Sequence, residues 1–282
     1  MSAEPVIRNI SDTALWVAIY RALESERPDA LFHDPFARKL AGERGQQIFN
    51  SIPERHRYNW AYSMRTYLFD RFIQREIDAG ADMVINLAAG LDARPYRMKL
   101  PAALQWIEVD LPDLLAHKQQ VILDAKPVCR LERVALDLAD VAARRSLFAR
   151  LGGRAKRAII ITEGLLIYLA PEEVAALAGD LAGIAAFQRW AFDITSPGLR
   201  RMMEKQLGDQ LEAAKAPFKF APPEGPPFFE KHGWRVLAVE STLKTAARLK
   251  RVGFFFRLIA KLPDSKGAQG SRPWSATCLA GR

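Results

Sequence analysis

Four acidic residues end or follow successive apolar runs of the chain, at the points where buried strands of a sheet would end. The runs cover residues 83–88, 106–110, 131–136 and 158–162, and the acids are Asp92, Asp110, Asp137 and Glu163. A carboxylate at the end of a second strand can accept hydrogen bonds from both hydroxyls of an adenosine ribose. Asp110 lies 20 residues after Gly90, the separation expected between a glycine-bearing loop and such an acid. The pattern therefore predicts a site for an adenosine-containing cofactor.

The loop after the first apolar run indicates which cofactor this is. A dinucleotide requires Gly-x-Gly-x-x-Gly, because backbone N–H groups and a helix end must approach a pyrophosphate closely. This loop instead has Ala88, Ala89 and Gly90, and Asp92 puts a carboxylate where a phosphate would lie. S-adenosylmethionine has no phosphate; its ammonium and sulfonium groups suit carboxylates and carbonyls, and its own carboxylate requires a separate arginine. The loop therefore favours S-adenosylmethionine, the donor in methyl transfer.

Two other hypotheses remain open beside a methyltransferase. One is a nicotinamide-dependent oxidoreductase on the same type of sheet, which the acidic loop disfavours. The other is a non-catalytic protein that keeps the cofactor pocket as a scaffold. Asp92 itself has two interpretations, direct contact with the ligand or capping of the helix that follows.

The elements that must position these residues alternate along the chain. Helical patterns at 113–124, 141–151 and 171–186 separate the apolar runs, and a fifth run covers 190–194. This alternation predicts a doubly wound α/β fold with a mostly parallel sheet and a ligand beyond the carboxyl ends of its strands. Two later segments, 233–241 and 274–282, bring the predicted sheet to seven strands, with an antiparallel strand at the C-terminus.

The remaining segments are predicted to surround this core within one domain, residues 1–282. Residues 1–80 form a helical N-terminal extension, 81–195 the cofactor-binding core, and 196–232 and 243–272 insertions that cover the substrate. Within the extension, Ser11 or Asp12 is expected to cap the first helix, and Gly42 and Gly80 to end the second and third. The basic and aromatic segment 243–262 has two interpretations, a lid over the site or an amphipathic helix on an anionic membrane surface. The lid is the favoured one.

Composition excludes several classes of protein. The chain has 282 residues, 49% of them hydrophobic and 26% charged, which favours a globular protein over a disordered or membrane-spanning one. The net charge of +9 is spread along the chain with no RNA-binding motif, so no nucleic-acid partner is expected. Cys129 and Cys278 are too few for a disulfide framework, no Cys/His cluster has metal-site spacing, and the N-terminus lacks a secretory pattern. We therefore expect a cytoplasmic protein without a metal.

Six motifs in order resemble one known family. They are SDTALWVAIYRALES…DALFHDPFARKLAG, RTYLFD, VINLAAGLDARPYRM, WIEVDLPDLLAHKQ, ALDLAD and ITEGLLIYLAPEEV. Together they resemble the bacterial branch of the leucine carboxyl methyltransferase family, within the class I S-adenosylmethionine-dependent methyltransferases. The resemblance covers roughly residues 8 to 190, with FFEKHGW as a weaker later match. It implies a Rossmann-like methyltransferase sheet.

The resemblance also implies roles for individual residues. Arg65 would hold the carboxylate of the methionine part, and the loop around Gly90 would pass beside that part. Asp110 would bind the ribose and Glu163 would lie near the amino group of the cofactor. The implied cofactor-binding set is Arg65, Ala88, Ala89, Gly90, Asp92, Asp110, Leu111, Asp137, Leu138, Glu163 and Gly164, with Asp137 and Leu138 beside the adenine. Ala88 stands where many methyltransferases have a glycine, and we expect it to keep a negative φ with only local consequences.

The methyl acceptor is the least defined part of the prediction. Tyr168, just beyond Glu163, is the candidate for the substrate side of the site, and none of the four histidines (His33, His56, His117 and His232) lies at a strand end. A carboxylate is already a nucleophile at pH 7, whereas a phenol or alcohol would require a base. We therefore expect O-methylation of a small molecule, with a carboxylate favoured. Protein and modified-tRNA acceptors, both known in the family, stay open in principle, and the oligomeric state is not predicted.

Overall fold

The computed structural model describes residues 7–52, 58–213, 216–264 and 272–282. Parts of the predicted extension and of both predicted insertions lie outside these ranges. Seven strands form one sheet, and their bounds are Met83–Leu87 (β1), Gln105–Asp110 (β2), Arg130–Ala135 (β3), Ala158–Thr162 (β4), Phe187–Thr195 (β5), Arg235–Ser241 (β6) and Ser275–Gly281 (β7).

The strands lie in the order β3-β2-β1-β4-β5-β7-β6. Neighbouring strands from β3 to β5 pair in parallel, and β7 runs antiparallel to both of its neighbours, β5 and β6. The prediction of a mostly parallel seven-stranded sheet with a C-terminal antiparallel strand is therefore confirmed. The order reverses at β1, which has β2 on one side and β4 on the other. The loops after β1 and β4 diverge there, which leaves a crevice at the carboxyl ends of the strands.

Ten α-helices flank the sheet in the described part of the chain. Their bounds are Ile10–Ser25 (α1), Ala37–Ser51 (α2), Asn59–Asp78 (α3), Arg94–Arg97 (α4), Pro112–Val121 (α5), Val141–Gly152 (α6), Pro171–Ala182 (α7), Pro197–Ala213 (α8), Thr242–Arg248 (α9) and Phe254–Ile259 (α10). Short 3-10 helices cover Leu166–Tyr168 and Pro226–His232.

The sheet is doubly wound because its strands are apolar on both faces. Met83, Ile85 and Leu87 of β1 pack in one cluster with residues of α6 and α7, whereas Val84 packs in another with residues of α3. This alternation follows from the period of two in a strand, and burial on both faces explains the continuous apolar run. A third cluster holds α1 and α2 against α5, so the N-terminal helices form a layer over the carboxyl end of the sheet.

Helix ends differ from the sequence predictions where side-chain partners decide them. Asn9, rather than Ser11 or Asp12, caps α1, because its Oδ1 accepts a hydrogen bond from the Asp12 backbone N at 3.2 Å. Gly42 interrupts α2 as predicted: its φ of +58° and ψ of −170° are not helical, so one helical segment ends there and a second runs on to Ser51. Gly80 ends α3 as predicted, with φ +94° directly after the C-cap.

The basic segment 243–262 forms two short helices, not one amphipathic helix. The helical conformation is interrupted between α9 and α10, where Lys250 has φ +57°. The Arg251 guanidinium bonds there to Glu24 at 3.0 Å and to Asp29 at 2.5 Å. These ion pairs fix the segment to the last turn of α1 and to the loop that follows it. Residues 265–271 of the predicted insertion lie outside the described residues.

Candidate functional site

A cavity of about 670 Å³ lies at the carboxyl ends of β1, β2 and β4. Strand ends meet there because parallel strands expose their carboxyl ends at the same edge of a sheet. The structure brings every predicted site residue to this cavity, although the contact that each makes with a ligand stays a prediction. The residues are Arg65, Ala88, Ala89, Gly90, Asp92, Asp110, Leu111, Asp137, Leu138, Glu163, Gly164 and Tyr168.

The loop after β1 reverses direction through two left-handed residues. Ala88 has φ +54° and Gly90 has φ +51°. The expectation that Ala88 keeps a negative φ is therefore wrong. The cause is the pairing that follows, since the backbone N of Ala89 donates to the Val109 carbonyl at 3.1 Å and thus ties the loop to β2. An alanine in this conformation costs about 1–2 kcal/mol, so the loop geometry is maintained against local strain.

Asp110 connects the end of β2 to this loop. Its Oδ2 accepts from the Gly90 backbone N at 2.6 Å, and its Oδ1 accepts from the Leu111 backbone N at 2.7 Å. Burial raises the pKa of this carboxyl, although both backbone bonds act in the opposite direction. Each carboxylate oxygen can accept a second hydrogen bond, so Asp110 keeps acceptor capacity beside the cavity. The separation of Gly90 and Asp110 in the sequence thus corresponds to a direct contact.

Asp92 belongs to a buried cluster with Arg94. Its Oδ1 accepts from the Arg94 backbone N at 2.9 Å, at the start of α4, and its Oδ2 accepts from the Arg94 Nη1 at 2.9 Å. Asn86 Nδ2 donates to the same Oδ2 at 2.8 Å. Burial alone would raise the pKa of Asp92, but the nearby cations Arg94, Lys118 and Arg97 lower it to about 2. The charge of Asp92 is therefore balanced within the protein, and the geometry agrees with the capping interpretation.

Glu163 and Asp193 hold the guanidinium of Arg65 at the cavity wall. Glu163 Oε1 lies 3.3 Å from Arg65 Nε, and Asp193 Oδ2 lies 3.5 Å from Arg65 Nη1. The other oxygen of Glu163, Oε2, pairs with Arg94 Nη2 at 2.8 Å. Gly164 donates its backbone N–H to Asp193 Oδ1 at 2.7 Å and adopts φ +71°, and a Cβ there would lie 3.2 Å from Arg65 Nη1. Together with Asp92, three carboxylates therefore accompany the two guanidinium groups, and Arg94 also pairs with Asp70.

Asp137 and Leu138, which follow the third strand β3, lie at the rim of the cavity. Asp137 is exposed, and its Oδ1 accepts from the Ala139 backbone N at 2.9 Å. The Leu138 carbonyl accepts from Arg144 Nη1 at 2.9 Å, which fixes the backbone of this rim. Asp137 keeps its second oxygen available, because the described contacts use only Oδ1.

The other side of the cavity is formed by helices and is mostly apolar. Val17 of α1, Tyr62 of α3, Tyr168, Met203 of α8 and Phe218 line it. The Tyr168 hydroxyl bonds to Thr13, and its ring lies 5.6 Å from that of Phe218. Burial raises the pKa of Tyr168 to about 12 and also raises that of Tyr62. Both phenols are therefore kept in their neutral form.

Within the described residues, one of the two predicted covering insertions lines the cavity and the other does not. Met203 and Phe218 belong to segment 196–232, whereas the described part of 243–272 contributes no residue to the lining. The described part of this second segment lies away from the cavity lining, and its role as a cover of the site stays a prediction. The physical reason for its position is the set of ion pairs at Arg251, together with the packing of Phe256 on Trp60 of α3, with ring centroids 5.9 Å apart.

Sequence reasoning missed several lining residues. Asp193 lies inside β5 between Phe192 and Ile194, and a carboxylate within such an apolar run was the available signal. Thr13 and Tyr62 give no comparable signal, because they lie on amphipathic helices whose inner face depends on tertiary packing. Among the described histidines (His33, His117 and His232) none lines the cavity, and His56 lies outside the described residues.

The described residues contain neither a candidate metal cluster nor a helix suited to span a membrane. No group of three or more His, Cys, Asp or Glu side chains there is arranged to hold a metal ion. No described helix combines the length and apolar character that are needed to cross a membrane.

Comparison with known proteins shows which family the chain belongs to. The model of a family described as "Leucine carboxyl methyltransferase" matches residues 14–182. A protein of Parafrankia sp. (strain EAN1pec), named "Putative S-adenosyl-L-methionine-dependent methyltransferase Franean1_4929", is 32% identical over 259 residues, which cover 86% of this chain and 82% of that protein. A relative of the same type from Frankia alni is 33% identical over 262 residues, which cover 85% of this chain and 88% of that protein.

Solved structures show the same fold. A DUF574 family protein from Streptomyces avermitilis superposes with a TM-score of 0.58 at 13% identity, over 94% of this chain and 96% of that one. A structure from Thermobifida fusca gives a TM-score of 0.58 at 14% identity, over 98% of this chain and 96% of that one. At such low identity the likeness concerns the fold alone.

Proposed function

The chain belongs to the leucine carboxyl methyltransferase family and is an S-adenosylmethionine-dependent methyltransferase, and we propose that it methylates an oxygen atom of a small molecule, with a carboxylate as the preferred acceptor. Family membership sets aside the nicotinamide-dependent oxidoreductase. One observation carries the choice of acceptor: the described side chains on the apolar side of the cavity include tyrosines with raised pKa values and no histidine. A general base works best with a pKa near the operating pH.

The residues at the strand ends fit S-adenosylmethionine, which supplies a methyl group on a positively charged sulfur when bound. Asp110 binds the ribose hydroxyls with the acceptor capacity that its two backbone bonds leave free. Asp137 and Leu138 lie beside the adenine, where the exposed Asp137 oxygen accepts from the exocyclic amine. The linked group of Arg65, Glu163 and Asp193 serves the amino-acid end.

Arg65 remains able to bind a carboxylate although it is already paired. A guanidinium has five N–H donors, and the described ion pairs of Arg65 with Glu163 and Asp193 use one Nε and one Nη1 contact. Glu163 and Asp193 fix the plane of the guanidinium and present negative charge to an ammonium group. Ala88, Ala89, Gly90, Leu111 and Gly164 contribute backbone and close packing. Asp92 supports the loop through Arg94.

Catalysis then depends mainly on position. Methyl transfer is a substitution at carbon, and it is accelerated by alignment of the acceptor oxygen with the methyl group rather than by proton transfer. Tyr168 cannot serve as a general base at neutral pH, because its pKa is raised to about 12 by burial. It lines the acceptor side and orients the acceptor through its hydroxyl, which is itself held by Thr13.

Transfer of a radiolabelled methyl group tests this proposal. The enzyme is incubated with labelled S-adenosylmethionine and with small-molecule, protein or RNA fractions of the producing cell, and the labelled product is then treated with alkali. A methyl ester releases labelled methanol, whereas a methyl ether does not. We expect label in the small-molecule fraction and release by alkali.

Each other outcome rejects a defined part of the proposal. Label in protein or RNA rejects the small-molecule acceptor, and alkali-stable label rejects the carboxylate. Cofactor binding without label in any fraction favours a non-catalytic binding protein. Tyr168→Phe should lower kcat while leaving the affinity for S-adenosylhomocysteine unchanged, and a loss of that affinity would place Tyr168 on the cofactor side.

A further inference from the structure

Large apolar side chains are concentrated on one small, exposed surface of the described structure. Phe254, Phe255, Leu258 and Leu262, which we call the α10 patch, are 82%, 68%, 54% and 55% exposed. Isolated exposed apolar residues are common, but four within nine positions are a contiguous feature that indicates an interaction surface.

The exposure of the α10 patch follows from the way in which α10 is anchored. Phe256 packs on Trp60 of α3, and Arg257 Nε donates to the Val252 carbonyl at 2.9 Å. Phe256 therefore holds the inner side of the short helix. Phe254, Phe255 and Leu258 are left on its outer side.

Positive charge surrounds the α10 patch. Segment 243–262 contains six Lys and Arg residues and no Asp or Glu. Three of the six are paired: Arg251 with Glu24 and Asp29, Lys244 with Asp264, and Arg248 with Glu240. The other three, Lys250, Arg257 and Lys261, form no salt bridge with any other described residue. Exposed aromatic residues with unpaired cations beside them match the two layers of an anionic bilayer surface, acyl chains and phosphates.

We propose that the α10 patch docks the protein on the surface of an anionic lipid bilayer. Phe254, Phe255 and Leu258 enter the boundary between headgroups and acyl chains, while Lys250 and Lys261 contact lipid phosphates. The lid interpretation does not compete for this surface, because the described part of the segment does not line the cavity. Trp60 and Tyr62 are two residues apart on α3, so they lie on nearly opposite faces of that helix. Docking through α10 therefore leaves the cavity accessible.

Co-sedimentation with lipid vesicles tests the proposal on the full chain. One set of vesicles contains phosphatidylcholine alone, and the other contains equal amounts of phosphatidylcholine and phosphatidylglycerol. We expect binding to the second set, weakened by added salt, and little binding to the first. Absence of binding to phosphatidylglycerol vesicles at low salt would overturn the proposal.

Variants separate docking through the α10 patch from general attraction by a basic protein. Phe254→Ser with Phe255→Ser should weaken vesicle binding by about tenfold or more, because each removes apolar surface from the bilayer. Lys250→Gln with Lys261→Gln should weaken it by roughly thirtyfold at low salt, at about 1 kcal/mol for each lysine. Leu123→Ser is the matched control, since Leu123 is an isolated exposed leucine at 72%. Equal vesicle binding by the wild type and by the variant with Phe254→Ser and Phe255→Ser would overturn the proposal.

The same variants distinguish a bilayer from a second copy of the chain. Light scattering after size-exclusion chromatography should give one mass for the wild type and for the Phe254/Phe255 variant. A wild-type dimer that this variant dissociates, without vesicle binding, would assign the α10 patch to self-association. Unchanged thermal unfolding and S-adenosylhomocysteine binding show that the variants are folded. None of these readouts depends on which molecule accepts the methyl group.

Discussion

Asp110 performs two tasks with one carboxylate, and this makes it the most informative single residue. It accepts the backbone N–H groups of Gly90 and Leu111, and in our proposal it also accepts the ribose hydroxyls. In Asp110→Ala both backbone donors lose their partner and the ligand loses its acceptor. With about 1.5–3 kcal/mol for each hydrogen bond to a charged group, we expect the affinity for S-adenosylhomocysteine to fall about a hundredfold or more. Isothermal titration calorimetry measures it.

Asp113→Ala provides the control for this prediction. Asp113 lies three residues further along, in the first turn of α5, and it is exposed. The control should bind S-adenosylhomocysteine as the wild type does. Wild-type affinity in Asp110→Ala would remove Asp110 from the ribose role and leave it a purely structural one.

For individual residues, the sequence predicted the site correctly where a side chain of suitable chemistry stands at a fixed spacing from another residue. The separation of Gly90 and Asp110 predicted two residues that turn out to be in contact. The φ of Ala88 could not be predicted, because alanine has no local preference for the left-handed region and the value is imposed by the bond from Ala89 to Val109. Asp193 was overlooked since the surrounding residues of β5 are apolar, and its partner Arg65 lies on a distant helix.

At the scale of elements, the turn after β4 is built around the position of α3. Gly164 has φ +71°, and a Cβ there would lie 3.2 Å from Nη1 of Arg65 on that helix. Gly164→Ala should therefore have two effects, a backbone cost of about 1–2 kcal/mol and a displaced guanidinium. We expect lower stability in urea unfolding and also weaker S-adenosylhomocysteine binding in calorimetry.

Gly80→Ala separates these two effects. Gly80 also has a positive φ, +94°, but a Cβ there would meet no atom within 4 Å. This variant should lose stability by a similar amount and bind S-adenosylhomocysteine normally. If Gly164→Ala also binds normally, the position of the Arg65 guanidinium does not matter for the cofactor.

The positions of the strands were easier to predict from the sequence than the contacts between distant segments. Apolar runs predicted the strands because a sheet covered on both faces needs continuous apolar sequence. The composition of segment 243–262 could not indicate its location, since that depends on Arg251 pairing with Asp29, which lies 222 positions away. The basic and aromatic pattern is the same whether it covers a cavity or faces outwards, so the sequence alone could not separate the lid and the surface interpretations.

At the scale of the whole molecule, buried arginines link the helical extension to the sheet. Arg94 bonds to Asp70 of α3 at 2.6 Å, to Asp92 in the loop after β1 at 2.9 Å and to Glu163 after β4 at 2.8 Å. Removing one member of such a buried group leaves uncompensated charge, which typically costs 3–5 kcal/mol. The cofactor-facing loops and the extension are therefore expected to lose their structure together when these carboxylates are protonated.

Asp92 makes this coupling measurable through pH. Although burial alone would raise the pKa of Asp92, the neighbouring cations Arg94, Lys118 and Arg97 lower it from the ordinary 3.8 to about 2. A carboxyl whose pKa is lower in the folded state stabilises the fold fully above its ordinary pKa. That contribution is lost as pH falls through the folded value, and the difference here corresponds to about 2 kcal/mol.

The free energy of unfolding in urea should therefore fall between about pH 4 and pH 2 by about 2 kcal/mol more in the wild type than in Asp92→Asn, which has no carboxyl to titrate. Asp113→Asn, an exposed acid on α5, should keep the full wild-type dependence, and equal slopes for wild type and Asp92→Asn would show that the Arg94 cluster does not determine acid stability.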